Sequence, residues 1–281
     1  MKILITGAGG QLGRSLPAAL FRHVVTTLPH KELDITRLNQ VREAIRIYRP
    51  NLVINAAAFS SVDAAEGQKD QAFRLNLLGP ENIAKVTAEY GAAILHVSTG
   101  YVFDGAARLP YREIDQPNPI SVYGKSKLAG EHAVAAANPL HYIVRTAWLY
   151  HEAGNGFPNK LTSLGTGREI RVNREQRSSP TYAPHLARGI ADLIETHIYG
   201  THHMAGTGSA SRFEFARALY SFLGLKAEVI PVSVKEFSEF AERPKYSVLT
   251  SRRETQIRLP DWEQGLTDFA STLRRARAAG V

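Results

Sequence analysis

Short apolar runs alternate with amphipathic stretches along the first half of the chain. Lys2–Thr6 is an apolar run of strand length, 12–21 has a helical period, and Val24–Leu28 is again strand-like. Leu38–Tyr48 is amphipathic, Leu52–Asn55 is a short apolar strand, and 71–90 has the pattern of a long helix. The same alternation continues through a strand at 93–98, a helix over Val122–Ala137 and a strand at His141–Thr146. Parallel strands need crossovers, and helices supply them. The pattern therefore predicts an α/β, doubly wound parallel sheet of the Rossmann type, with helices on both faces. After Trp148 the texture changes: 154–158 and 175–184 read as loops, while 184–197 and 211–223 read as helices. A smaller, interleaved C-terminal lobe is expected, built from about 148–180 and 206–281, with the sheet domain taking 1–147 plus about 181–205. No internal repeat or low-complexity linker interrupts this organisation.

Composition narrows the function classes. A chain of 281 residues can bury a full core without staples, and the absence of cysteine excludes disulfides, thiolate metal sites and cysteine nucleophiles. His202 and His203 are adjacent, which suits a strand or loop better than a chelating helix face, so no metal site is expected. No apolar run approaches the ~18 residues of a membrane span. Met1-Lys2-Ile3-Leu4-Ile5 runs straight into a glycine turn, so a cytoplasmic protein with no membrane partner is expected. Lys and Arg number 34 against 26 acids, a net charge of +8. The basic residues are scattered, as at Arg22, Arg42, Arg46, Lys69 and Lys85, and no nucleic-acid module accompanies them. Nucleic acid is therefore not expected as a partner; the field suits phosphorylated small molecules.

The candidate chemistry begins at Gly7, Gly10 and Gly13, directly after the first strand and before a helix. Glycine permits the tight turn, backbone approach to a pyrophosphate, and a helix N-terminus aimed at phosphate, so dinucleotide binding is expected. An acid at the end of the second strand would select NAD, but that stretch reads Thr27-Leu28-Pro29-His30-Lys31. His30, Lys31 or Arg14 could meet a 2′-phosphate, favouring NADPH over NADH, although His30 and Lys31 equally suit a soluble loop. Asp34 and Ile35 follow where a carboxylate and an apolar side chain could bracket an adenine; Asp34 could instead cap the next helix.

Tyr123 and Lys127 stand four apart at the start of a helical pattern, hence on one face. An ammonium beside a phenol lowers its pKa and helps it give a proton near neutral pH. Val97-Ser98-Thr99 ends a buried strand with two hydroxyls for a carbonyl oxygen, and Asn76 lies in a helix that could support the proton path.

The glycine turn, Asn55-Ala56-Ala57-Ala58, Asn76, Ser98-Thr99, Tyr101-Val102-Phe103-Asp104-Gly105 and the Tyr123/Lys127 pair together resemble the extended short-chain dehydrogenase/reductase family. Within it, several runs resemble the dTDP-4-dehydrorhamnose reductase branch: Gly10-Gln11-Leu12-Gly13, Ser61-Val62-Asp63, Val144-Arg145-Thr146-Ala147-Trp148, Gln176 with Pro180-Thr181, and Arg243-Pro244. The similarity extends to Leu259-Pro260-Asp261-Trp262 and Gly265-Leu266. It implies hydride transfer from NADPH or NADH to the 4-keto carbon of a dTDP-4-dehydro sugar, with Thr99 orienting the oxygen, Tyr123 protonating it and Lys127 holding the cofactor. Cofactor contacts are then expected at Gly7, Gly10, Gln11, Leu12 and Gly13, at His30, Lys31, Asp34 and Ile35, at Ala56, Ala57, Ala58, Asn76 and Ser98, and at Tyr123 and Lys127. Substrate contacts are expected at Ser61, Val62, Thr99, Tyr101, Trp148, Gln176 and Arg243, in a monomer or homodimer.

Two departures stand out. The family usually has an aspartate after Ser-Thr, where this chain has Gly100, and the loss of that acid bears on which sugar is taken. The substrate loops also differ, with Glu175-Gln176-Arg177-Ser178 where the family more often has Asp-Gln and a glycine, and Gly156 where an asparagine is common. A sibling nucleotide-sugar reductase or epimerase, or a non-catalytic dinucleotide-binding subunit, is the alternative. An epimerase would retain NAD and consume none.

Overall fold

The computed structural model describes residues 1–167, 169–236, 240–253 and 257–278. Among them, six parallel strands form the central sheet in the spatial order Gly200–His203, His141–Thr146, Ala93–Thr99, Leu52–Asn55, Lys2–Thr6, Val24–Leu28. The chain steps outward from the first strand to the second, then returns past the first to Leu52–Asn55 and continues the other way. This reversal opens a crevice at the carboxyl ends of the first and third strands, where such sheets bind ligands.

Both faces of the sheet are covered, which is why the strands read as unbroken apolar runs. Ile3, Ile5, Leu52 and Ile54 pack with Leu12 and Leu16 of the helix Gln11–Ala19 and with Leu186, Ile190 and Leu193 of the helix Ala183–Thr196. Leu4, Val53 and Ile94 point the other way, into Val41 and Ile45 of Leu38–Tyr48 and Ile83 and Val86 of Gly79–Glu89. Each such side chain, fully buried, contributes roughly 1.5–3 kcal/mol. Ala183–Thr196 packs on the first layer, and Gly200–His203, carrying His202 and His203, adds the edge strand. A separate core of Tyr150, Leu161, Val172, Phe215, Leu219 and Phe269 holds the lobe together.

The helix expected over 71–90 is broken into Lys69–Phe73, a wide π-type turn at Arg74–Leu78, and Gly79–Glu89. Pro80 has no amide to give the carbonyl of Asn76, and the turn widens there. The loops expected at 154–158 and 175–184 contain more structure than the sequence predicts. The helix Phe157–Leu164 starts inside the first, and the second holds the two-residue strands Arg177–Ser178 and Thr181–Tyr182, which pair with Ala210–Ser211, Tyr246–Ser247 and Leu149–Tyr150. Strands this short carry no periodic signal. The helix expected at 211–223 is Arg212–Leu223, and Ser211 and Glu214 close its first turn by exchanging hydrogen bonds with each other's backbone amides. Among the described residues no helix is long and apolar enough to cross a membrane.

Candidate active site

At the crevice the first strand runs into the glycine turn, where the Gly10 amide donates to the Gly7 carbonyl at 2.9 Å. Gly7 has φ +71°, and a Cβ there would overlap the backbone of Ala56 and Ala57; one at Gly13 would overlap the Gly7 carbonyl. Only glycine lets the strand, the turn and the helix Gln11–Ala19 approach so closely. No side chain caps that helix and no acid lies in its first turn, so its leading amides are available to an anion. Leu12 is buried in the core beneath, Gln11 is partly buried, and Arg14 folds back to donate to the Gly9 carbonyl at 2.9 Å.

His30 and Lys31 are exposed beyond the second strand. Asp34 accepts from the amide and hydroxyl of Thr36 at 3.0 and 2.8 Å. Burial works against its charge, but these bonds, His30 and Arg37 hold the carboxyl below its usual range. Its side chain caps no helix: Leu38–Tyr48 has Arg37 at its cap position, without a side-chain bond. Ile35 is buried in the core under Gly79.

Ala56, Ala57 and Ala58 line the exit of the third strand, partly buried. Asn76 pins the residue after them. Its amide group accepts from the Phe59 N–H at 2.8 Å, donates to the Phe59 carbonyl at 3.0 Å and donates to Ser126 Oγ at 3.0 Å. Ser126 in turn donates to the Tyr123 carbonyl at 2.8 Å. Asn76 therefore positions the Tyr–Lys helix from behind, and its polar atoms are already committed.

That helix, Val122–Ala137, is fixed at its start by Ser121, which accepts from the Gly124 amide, and by Glu66, which accepts from the Val122 amide at 2.8 Å. Gly130 lets it press against the π turn, since a Cβ there would overlap the Asn76 carbonyl. Tyr123 and Lys127 thus stand beside the end of the fourth strand. Thr99 hydrogen-bonds the Tyr123 side chain, and Tyr101 meets its ring edge-on at 6.1 Å.

The electrostatics differ from the expected tuning. Burial pushes the Tyr123 phenol up to about 12, against the Thr99 bond. Lys127 Nζ is held by the Val97 carbonyl at 2.7 Å and lies 3.2 Å from His96 Nε2. Burial pushes the Lys127 ammonium down to about 8, with Glu131 opposing. A phenol this reluctant to ionise stays protonated at neutral pH, the form a proton donor needs.

Ser98 is the clearest displacement from expectation. A strand alternates its side chains, so Ser98 and Thr99 cannot both face the crevice. Ser98 Oγ donates to Glu131 on the helix side, where Arg145, opposite Ser98 in register, also binds that carboxylate at 2.6 Å. Gly100 packs closely. A Cβ there would point at the Ser247 carbonyl, 3.3 Å away, and at the Leu249 side chain. A side chain at this position would press against the lobe's wall.

On the lobe side, Trp148 has the left-handed φ of +41° and its carbonyl accepts from the Thr181 amide at 3.2 Å. A tryptophan held there stores strain of about 1–3 kcal/mol, as residues at functional sites often do. Its indole N–H is buried without a partner. Arg212 covers the ring at 4.4 Å and the Phe157 ring at 4.8 Å, and donates to Gln176 Oε1 at 3.3 Å. These rings, with Tyr150, Pro180 and Phe215, line a cavity of about 150 Å³. A wider cleft of about 560 Å³ lies among Asp104, Ile120, Gln176, Phe240, Arg243 and Lys245. Arg243 pairs with Asp63 at 2.6 Å, just after the exposed Ser61 and half-buried Val62. The Arg243 guanidinium holds the Asp63 carboxyl below its usual range.

Sequence inspection missed His96, Glu131 and Arg212. His96 carried a signal, a polar residue inside an apolar strand; Glu131 carried a similar one, an acid in a helix face of alanine, glycine and valine. Among the described residues no group of three or more histidines or carboxylates is placed to hold a metal ion.

The family described as RmlD substrate binding domain matches residues 1–275 of the chain. The spore coat polysaccharide biosynthesis protein SpsK of Bacillus subtilis is 37% identical over 273 residues, 95% of this chain and 96% of that protein. The dTDP-4-dehydrorhamnose reductase of Mycolicibacterium smegmatis is 38% identical over 289 residues, 99% of this chain and 88% of the relative. Among solved structures, dTDP-4-dehydrorhamnose reductase from Bacillus anthracis in complex with NADP superimposes with a TM-score of 0.94 at 40% identity, over 96% of this chain and 99% of that one.

Proposed function

The chain belongs to the RmlD substrate binding domain family, and from that membership we propose that it is an NADPH-dependent oxidoreductase that reduces the 4-keto group of dTDP-4-dehydro-L-rhamnose to give dTDP-L-rhamnose. The observation that carries this is Tyr123, hydrogen-bonded to Thr99 and one turn before Lys127, at the carboxyl end of the fourth strand. The residues at the crevice fit a dinucleotide: Gly7 and Gly13 leave no room for a Cβ, the helix N-terminus is uncapped, and no acid stands at the end of the second strand, Thr27 to Lys31. Bound there, NADPH supplies hydride. Gly7 to Gly13 would hold its pyrophosphate and Lys127 its nicotinamide ribose, with Arg14, His30 and Lys31 around the 2′-phosphate.

Thr99 orients the keto oxygen and Tyr123 gives it the proton from its hydroxyl. The charge that develops on that oxygen is stabilised most where water is thin, and burial already dominates this phenol's environment. The lobe formed by about 148–180 and 206–281 would receive the dTDP-sugar, with Trp148 against the sugar and Arg243 and Gln176 in the wider cleft toward the nucleotide. The setting is cytoplasmic.

The test is incubation with dTDP-4-dehydro-L-rhamnose and each reduced nicotinamide, with identification of the sugar product. dTDP-L-rhamnose formed stoichiometrically with NADPH oxidation is expected. Return of unreduced sugar, with NADPH intact, would refute the proposal. Tenfold tighter binding of NADH than NADPH would overturn the cofactor preference. Arg243→Ala is expected to raise KM for the nucleotide-sugar roughly 10-fold or more while kcat changes little, as for loss of a charged hydrogen-bonding partner. Steady-state kinetics at varied sugar concentration checks this.

A further inference from the structure

Arg212 opens the helix Arg212–Leu223, where the positive end of the helix dipole opposes a cation. No counter-ion offsets this. Glu214, the acid of the same first turn, accepts from the Ser211 amide at 2.7 Å and from the Arg177 guanidinium at 2.8 and 2.7 Å. Its charge is thereby committed to Arg177, and among the described residues no carboxylate pairs with Arg212.

The half-buried Arg212 side chain packs on aromatic rings instead, its guanidinium carbon 4.4 Å from the Trp148 centroid and 4.8 Å from that of Phe157. The Trp148 indole N–H makes no bond of its own among the described residues, so this stacking is what bears on the ring. A guanidinium stacked on rings offers its hydrogen bonds in its own plane, along its edge. One of the five N–H groups is used: Nε donates to Gln176 Oε1 at 3.3 Å. Among the described residues Nη1 and Nη2 have no acceptor, which leaves a fork of donors suited to an oxyanion.

Gln176 fixes where that fork lies. It bonds Arg212 at the wall of the 150 Å³ cavity, and it also lines the 560 Å³ cleft together with Arg243 and Lys245. A dTDP-sugar with its sugar against Trp148 and its nucleoside in the wider cleft has its diphosphate between the two, beside Gln176 and Arg212. We propose that Arg212 is a substrate-binding residue whose terminal N–H groups take the oxygens of the phosphate joined to the sugar. Gln176 holds Nε and so aims the fork, and the stacked face keeps Trp148 in place for the sugar. The inference deepens the dTDP-sugar reading and rests on it.

Calorimetric titration of the intact, NADPH-saturated protein tests the contact. dTDP is expected to bind about tenfold or more tightly than dTMP, which lacks the outer phosphate. Arg212→Met keeps an apolar stem against Trp148; it is expected to weaken dTDP roughly 10- to 100-fold, as for a lost charged hydrogen bond, and dTMP by less than about threefold. In the parent protein with 15N-labelled arginine, the side-chain resonance missing from Arg212→Lys is expected to shift when dTDP is added and to stay in place with dTMP. That measurement decides even where Arg212→Met does not fold. Unchanged dTDP affinity in the folded Met variant, equal loss of dTDP and dTMP, or an Arg212 resonance that dTDP leaves unmoved overturns the inference. A parent protein that fails the reductase assay, yet loses dTDP and not dTMP on Arg212→Met, would sink the reaction and keep the phosphate contact.

Discussion

Replacing Tyr123 by phenylalanine is expected to lower kcat roughly 10³-fold while NADPH affinity stays within about twofold, since a positioned general acid contributes about 10²–10⁴. The ring stays, so the edge contact with Tyr101 and the helix packing stay; only the hydroxyl bonded to Thr99 is lost. Oxygen acquiring charge from hydride would then have only Thr99 to meet it, and Thr99 already gives its Oγ1 as acceptor to the Tyr101 amide at 3.2 Å. NADPH oxidation followed by absorbance gives the turnover and fluorescence titration the affinity. A variant within tenfold of the parent enzyme would mean that another group delivers the proton. Loss of NADPH binding instead of turnover would make Tyr123 a cofactor-holding residue and nothing more.

What could be read from the sequence is what depends on neighbours close along the chain. Gly7, Gly10 and Gly13 lie within one turn of each other, and Tyr123 and Lys127 within one turn of helix, so their spacing is their geometry. The apolar runs of Lys2–Thr6 and Leu52–Asn55 disclosed a sheet covered on both sides for the same local reason. What stayed hidden depends on strand register and distant partners. Ser98 was legible in principle, because a strand cannot turn adjacent residues to one face, yet only its pairing with Arg145 reveals the carboxylate waiting on the far side. Lys127 could be placed but not its partner His96, 31 residues away. Arg243 could be suspected as a cleft residue but not its partner Asp63, 180 residues distant. The short lobe strands make two-residue pairings that no period discloses.

The pair of Glu131 and Arg145 explains why the Tyr–Lys helix keeps its place, and Glu131→Ala should cost roughly 3–5 kcal/mol, as breaking a buried pair on one side does. The carboxylate accepts three bonds from the Arg145 guanidinium and one from Ser98 Oγ. Without it, among the described residues, Arg145 keeps only His203 Nε2 at 3.4 Å and the Phe103 ring at 5.3 Å, neither of which can take a buried positive charge. Thermal unfolding should fall by on the order of 10 °C. The double replacement Glu131→Leu with Arg145→Met should regain most of this, since apolar side chains of similar volume carry no desolvation penalty. A single variant that melts with the parent protein would mean that water reaches Arg145 and that the pair holds nothing. Glu131 also works against the burial of Lys127, so removing it should shift the lysine further toward its amine. The recovered double variant would therefore be stable yet carry a Lys127 titration below that of the parent, separating the pair's structural contribution from its effect on the site.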